Sequence, residues 1–471
     1  MRAGDDCGRG SRRLLNLIWP AASWIWNHSS LQKVCSCTGC SFAPGELRVA
    51  GPHQGDLRID HWAVAFPGGG SLISQGTWAT SLSSPEFVGS ARLETPNLRA
   101  QLEALGFEPR GIAADRLRRF TIAAALSARP DRLEISDLHL ELDRMNWAGG
   151  FAIALRERPG LGLRLVGDLA DLDAYAAVWR RLAPTFLSNV DANLELGVKR
   201  LILAGHEAHD LQLSAALRQG ALAIQDLQIN DLSGAKIVAS GRLEQLGADV
   251  PQVGNGHIAF ETPDISRFFR VLSLETPPLL DNVGDLRAKG TLEVQEGKAS
   301  LHFDLAALSG QGRLLLDLDT GAEGGARIDG QLELKDLDLA RLTEPYVDQG
   351  PASQAATLIS SFSLEGEQLL HESYLTFEGA SLELKGGAQD FWSSSPAWRG
   401  NLALHHPDAG KLSQLLFPQT VFPLSGTLDL EARLDLNGER LSLEEIQGRA
   451  GEVVFGGSLV RQRVPQEALE L

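Results

Sequence analysis

The sequence predicts a mostly β protein: one elongated, bent antiparallel sheet forming a repetitive groove, with several short helices docked on it. Three observations predict this. Apolar and polar residues alternate with a period of two along much of the chain, as where Leu211, Leu213, Ala215 and Leu217 stand among Gln212, Ser214, Ala216 and Arg218. Such alternation gives a strand one oily face and one wet face, the habit of antiparallel sheets. Composition agrees, since 49 glycines against 2 methionines suit many short strands and turns better than a helical bundle. Finally, Gly, Asp or Asn breaks fall about every 8–12 residues, the rhythm of a meander.

The 471 residues are 43% hydrophobic and 22% charged, enough apolar surface to exclude global disorder. With 43 basic and 60 acidic side chains the net charge is −17, which argues against a nucleic-acid binder. All 4 cysteines (Cys7, Cys35, Cys37, Cys40) lie in the first 44 residues. The remainder needs no disulfide framework and is compatible with an oxidising compartment. Cys35, Cys37 and Cys40, with His28 upstream, lack the paired spacing of a zinc site, so no metal site is assigned. Arg12 and Arg13 precede the apolar stretch Leu14–Trp26. It is short of the roughly 20 residues that span a bilayer but fits the apolar core of a secretory signal. Residues 1–44 therefore read as an irregular leader, a possible degenerate signal or anchor.

From residue 45 onward one strand pattern recurs with a defect at a fixed place. Leu57 and Ile59 are followed by Trp62, Val64 and Phe66; Leu133 and Ile135 by Leu138, Leu140 and Leu142; Leu222 and Ile224 by Leu227 and Ile229; Leu441 and Leu443 by Ile446. In each, the alternation slips by one residue. A slip would send the second apolar set to the wrong face unless a bulge absorbs the extra residue and bends the strand. Leu332 and Leu334 belong to the same oily set.

Five Pro/Asp/Asn-rich steps lead into short helical patterns, at 96–105, 171–182, 263–272, 336–346 and 407–416. Asp and Asn are natural caps, and runs this short must dock on the sheet to persist. Longer repeats surround them. Gly69 aligns with Gly234 and Asp171-Leu-Asp173 with Asp336-Leu-Asp338, both 165 residues apart, and Glu94-Thr-Pro with Glu261-Thr-Pro at 167. The body then divides into copies at about 45–205, 206–370 and a partial 371–471. The closing GEVVFGGSLV reads as one further strand.

No catalytic constellation stands out. His206 and His209 are one residue short of zinc-protease spacing and read as a solvated turn ahead of a strand. His405, His406 and Asp408 lie on a strand-to-helix step, and Gly68-Gly69-Gly70 reads as a hairpin turn. The chain is expected to be non-enzymatic and to need no cofactor. The candidate site is instead the oily face: Leu57, Ile59, Trp62, Val64, Phe66, Leu133, Ile135, Leu138, Leu140, Leu211, Leu213, Leu222, Ile224, Leu227, Ile229, Leu332 and Leu334.

Over residues 45–471 the chain resembles the AsmA-like superfamily of bacterial envelope proteins, which includes AsmA and TamB relatives. The resemblance is carried best by LILAGHEAHDLQLSAALRQGALAIQDLQINDLSGAKIVASGRL at 201–243, with its glycine before an Asp-Leu strand, its G-x-L-x-I strand and its closing Gly241-x-Leu243. It implies a long periplasmic β-groove, association with the inner membrane, and roles in outer-membrane assembly and in moving phospholipid between inner and outer membranes. The implied partners are phospholipids, the inner membrane and outer-membrane assembly proteins. The family's usual spanning helix is missing or degraded in residues 1–44. Two dozen strands would stretch on the order of 110 Å. Two alternatives stand beside the open groove: a sandwich whose oily face is closed, and an adaptor that assists outer-membrane protein assembly through exposed strand edges.

Overall fold

The structure, a computed structural model, describes residues 46–462 except 54–55, 67–68, 80–84, 105, 178–188, 247–251, 272–282, 322–325, 344–354, 394–395, 417–424 and 438–439. The leader and all four cysteines lie outside the described residues.

The alternation does fold as strands, 24 of them in one sheet. They are β1 (Glu46–His53), β2 (Asp56–Phe66), β3 (Gly70–Ala79), β4 (Glu86–Thr95), β5 (Phe120–Arg129), β6 (Arg132–Leu142), β7 (Met145–Ala154) and β8 (Gly160–Asp171). Then come β9 (Asp191–Leu203), β10 (His206–Arg218), β11 (Ala221–Leu232), β12 (Ala235–Glu244), β13 (Gln252–Thr262), β14 (Leu286–Gln295), β15 (Lys298–Ala307) and β16 (Gly310–Asp319). The rest are β17 (Arg327–Asp338), β18 (Ala355–Glu365), β19 (Gln368–Phe377), β20 (Ala380–Gln389), β21 (Ala397–His406), β22 (Leu428–Asn437), β23 (Arg440–Ala450) and β24 (Val453–Gln462). Each strand pairs with the next in chain order, and the sheet is curled without closing.

One pairing departs from the expected antiparallel meander. β8 and β9 run parallel, in register from Gly160↔Asp191 to Asp171↔Ile202. Alternation could not reveal this, because a one-sided strand alternates equally whichever way its neighbour runs. The chain leaves β8 at one end of the sheet and re-enters at the other.

The slips are bulges. Between Ile59 and Trp62, Ile135 and Leu138, Ile224 and Leu227, and Leu443 and Ile446, two residues oppose one on the next strand. Bulges of the same kind also lie at Asn255 in β13 and Asp336 in β17, among others. The extra residue often takes the left-handed conformation, with φ of 49° at Asp137, 50° at Asn255 and 57° at Asp336. Asp and Asn bear this conformation better than most side chains.

Four of the five helical steps become α1 (Leu98–Ala104), α2 (Ile265–Val271), α3 (Leu339–Thr343) and α4 (Ala409–Leu416). The fifth makes a turn at 172–175 and is helical at 176–177. All five carry a side-chain cap. Asn97, Asp171, Asp264 and Asp408 each accept the backbone N–H three residues on, at 3.0–3.1 Å, and Asp338 accepts that of Ala340 at 3.0 Å. Because β8 and β9 are parallel, the steps after β4, β8, β13, β17 and β21 all leave from the same end of the sheet. The building unit is thus four strands and one capped step, with β9 as an additional strand.

The long repeat maps onto these elements. Gly69 (φ 91°) turns β2 into β3 as Gly234 (φ 93°) turns β11 into β12. Asp171 and Asp336 do not play matching parts, since Asp171 caps whereas Asp336 is the bulge and Asp338 caps. The expected boundary at 205/206 falls in the β9–β10 turn, but that at 370/371 falls inside β19.

Burial concentrates where helices meet the sheet. Leu339, Ala409 and Leu412 pack with Leu334, Leu337, Ala356, Leu375 and Phe377 in the largest core cluster. A second cluster joins Ile112, Leu117, Met145 and Tyr175 beside α1. There Tyr175 donates its hydroxyl to Asp143 Oδ2 at 2.5 Å, and burial together with that carboxylate raises its pKa.

Candidate functional site

Register decides which side chains share a face. One row can be followed from β2 to β9: Val64, Leu72, Leu93, Ile122, Leu140, Trp147, Gly167 and Val198, each paired with the next. It continues to β17 through Leu211, Ile229, Ile237, Phe260, Ala288, Leu305, Gly312 and Leu334. It ends at β24 through Leu358, Leu375, Leu382, Leu404, Leu430, Gly448 and Phe455. Every member is apolar or glycine. The bulges make this possible, since each restores the phase that its strand would otherwise lose.

All the lining residues named from the sequence lie on this face. Leu57, Ile59, Trp62, Val64 and Phe66 share it through their pairs Trp78, Gly76, Ser74, Leu72 and Gly70. Leu133, Ile135, Leu138 and Leu140 share it through Ile153, Phe151, Gly149 and Trp147. Leu211 and Leu213 pair with Ile229 and Leu227, while Leu222 and Ile224 meet Leu217 and Ala215. Leu332 and Leu334 pair with Leu314 and Gly312. Among them only Leu138 (3% exposed) and Leu334 (5%) are buried, and Trp62 is 41% exposed. The others are half-buried. Among the described residues no second sheet lies over this face, so its partial cover comes from the curl and, at one end, from the helices. Among the described residues it is an open apolar trough rather than a closed sandwich.

Aromatic rings on this face rest over glycines of adjacent strands. A Cβ on Gly76 would meet the Phe87 ring at 2.7 Å, on Gly167 the Trp147 ring at 2.7 Å, on Gly330 the Phe362 ring at 2.2 Å and on Gly448 the Phe455 ring at 2.2 Å. Glycine lets each ring settle into the floor. In a Gly330→Val protein the Phe362 ring must lift into the trough, at an expected cost of about 1–3 kcal/mol. Urea unfolding checks this, and Phe362→Leu in the same chain should recover part of the loss.

The opposite face is wet and charged. Cross-strand pairs such as Arg164–Glu195 (2.6 Å), Arg287–Glu261 (2.9 Å) and Arg399–Asp435 (2.8 Å) tile it, and each exposed pair contributes little alone. Hydrogen bonds from Arg164 to Glu195 and from Lys335 to Glu333 hold those carboxyls below their ordinary range. A lowered folded-state pKa gives stability that is present above the unfolded value and lost as pH falls through the folded one. Acid titration of the fold should therefore begin below about pH 4, with little change from there to neutrality; a far-ultraviolet dichroism titration reads it.

The histidines singled out in the sequence are structural. His206 and His209 lie within β10 rather than ahead of it, His209 being 46% exposed near Glu207. The expected turn is instead the residue pair before His206, because the strand starts earlier than its leucine alternation does. His406, 1% exposed, accepts the Asp408 N–H at Nδ1 (2.8 Å) and faces the Glu378 carbonyl with Nε2 (3.2 Å), while His405 meets Asp429 at 2.6 Å. Among the described residues no group of three or more His, Cys, Asp or Glu side chains could hold a metal, and no helix is long and apolar enough to cross a membrane.

The chain matches no family model, no curated protein and no solved structure.

What the trough can do follows from its surface. It offers a central row of apolar side chains and glycines from β2 to β24 that carries no charge. Sequence reasoning missed one polar group on this face, formed by Ser360, His371, Ser373 and Trp398, because its members are spread over three different strands.

Proposed function

We propose that this chain is a non-enzymatic lipid carrier whose trough holds the acyl chains of phospholipids while their headgroups stay in water. The observation that carries this reading is the apolar row running unbroken from β2 to β24, most of its members only half-buried. Each methylene taken out of water there contributes about 0.8 kcal/mol. A trough of equivalent positions lets a lipid slide without a single tight site. Together with the resemblance to AsmA-like proteins, this supports a place in the bacterial envelope, with a periplasmic body associated with the inner membrane and phospholipid moving between the two membranes.

Native mass spectrometry of the purified chain tests the reading. Several phospholipids per chain are expected to survive gentle ionisation. A chain free of lipid after exposure to phospholipid vesicles would overturn it.

A second reading, an adaptor that assists outer-membrane protein assembly, draws on β24. Val453, Val454, Phe455, Leu459 and Val460 are all at least one-third exposed, and β24 is apolar on both faces. Among the described residues its outer edge has no partner strand, so an extended segment of another protein could add there.

A further inference from the structure

The trough floor carries a polar network across β18–β21. Trp398 on β21 donates its Nε1–H to His371 Nε2 on β19 at 2.5 Å. His371 Nδ1 lies 2.9 Å from Ser373 Oγ, and Ser373 Oγ lies 2.8 Å from Ser360 Oγ on β18. Register places all four side chains on the trough face: Ser360 pairs with Ser373, His371 with Phe362 and Gly386, and Trp398 with Ala388. All are half-buried, so the trough reaches them.

Donor and acceptor chemistry fixes the direction of the two bonds to His371. Indole N–H only donates, so His371 Nε2 must be the acceptor. Burial keeps this imidazole neutral by lowering its pKa from 6.5, and its one proton therefore sits on Nδ1 and is given to Ser373 Oγ. The two hydroxyls share one further bond. The four groups hold four donatable protons and make three bonds with one another, so one serine proton has no acceptor within the network. No cation belongs to it, and an anion seated there would be left uncompensated. A neutral oxygen acceptor fits.

We propose that the Ser360–Ser373 pair is a recognition point for the ester carbonyl oxygen of an acyl lipid lying in the trough. This rests on the lipid-carrier reading above and adds to it that ester-linked lipids are preferred at this point over lipids lacking that carbonyl. His371 and Trp398 are positioning residues: the indole N–H holds the imidazole proton on Nδ1, and that proton, given to Ser373 Oγ, leaves one serine proton for the lipid.

The test uses the full chain and two probes, vesicles of a diacyl phosphatidylcholine and of the dialkyl ether analogue with the same chain lengths. These differ only in the two carbonyls. In competition, native mass spectrometry is expected to show about fivefold preference for the ester lipid at the most strongly occupied position, the worth of one neutral hydrogen bond. The preference should vanish in a Ser360→Ala/Ser373→Ala chain and should survive in a Ser360→Thr/Ser373→Thr chain, which keeps both hydroxyls. Equal retention of the two lipids by the wild-type chain would overturn this inference alone. A preference that survives the double alanine change would also overturn it. Retention of neither lipid would overturn the carrier reading and this inference with it.

Discussion

Two single-residue deletions in β17 are expected to differ sharply in outcome. Removing Asp336 takes away the extra residue of a bulge: Lys335 then opposes Thr357 alone, and the pairs Leu334↔Leu358 and Leu337↔Ala356 persist. Both leucines stay on the trough face and a left-handed residue is lost, so stability should change by no more than about 1 kcal/mol. Removing Gln331, which has no bulge beside it, shifts one half of the strand to the other face. Leu334 (5% exposed) and Leu337 (0%) would leave the largest core cluster or drag the pairing out of register. Each buried leucine lost costs about 2–5 kcal/mol, so the surrounding four-strand unit should lose its structure. Hydrogen exchange over β16–β18 distinguishes the two. Comparable loss of protection in both deletions would show that the slips are not what holds the oily face in phase.

The second large effect concerns movement rather than folding. Leu292, Leu301 and Leu316 are consecutive partners on β14, β15 and β16, all half-buried on the trough face. Changing the three to glutamate places a charged bar across the floor. Passing an acyl chain over uncompensated carboxylates costs at least the 1–3 kcal/mol of one poorly paired polar group, so lipid transfer between vesicles should fall about tenfold or more. Lipid retained elsewhere along the trough should fall much less, because a lipid is far shorter than the sheet. Leu315→Glu supplies the control. That residue pairs with His302 and Gln331 on the wet face and is 39% exposed, so the same substitution one position away should leave transfer unchanged. Undiminished transfer past the three glutamates would count against a trough used lengthwise.

The oily face was legible in the sequence because its rule is local. Leu57, Ile59 and Trp62 announce both the alternation and its slip within six residues, and the bulge at that point follows from the need to keep Trp62 with Ile59. The helical steps were legible for the same reason, since Asp408 and Asp264 act on backbone groups three residues away. The parallel pairing of β8 with β9 was not, because Leu161, Leu163 and Leu165 alternate as any one-sided strand does. Nor was the pairing of Phe362 with Gly330 or of Ser360 with Ser373. Such contacts depend on which residues stand opposite one another across strands, and that is known only once register is known.

The repeating four-strand unit with its capped step has a consequence for reach. Apart from the parallel junction at β8–β9, each unit meets its neighbours through the same antiparallel pairing and offers the same oily floor, so inserting or removing one changes span without redesigning the sheet. Every such module alters the distance bridged by about 19 Å. A gap between two bilayers could thus be matched by counting modules, much as a ladder is cut to the height of a wall.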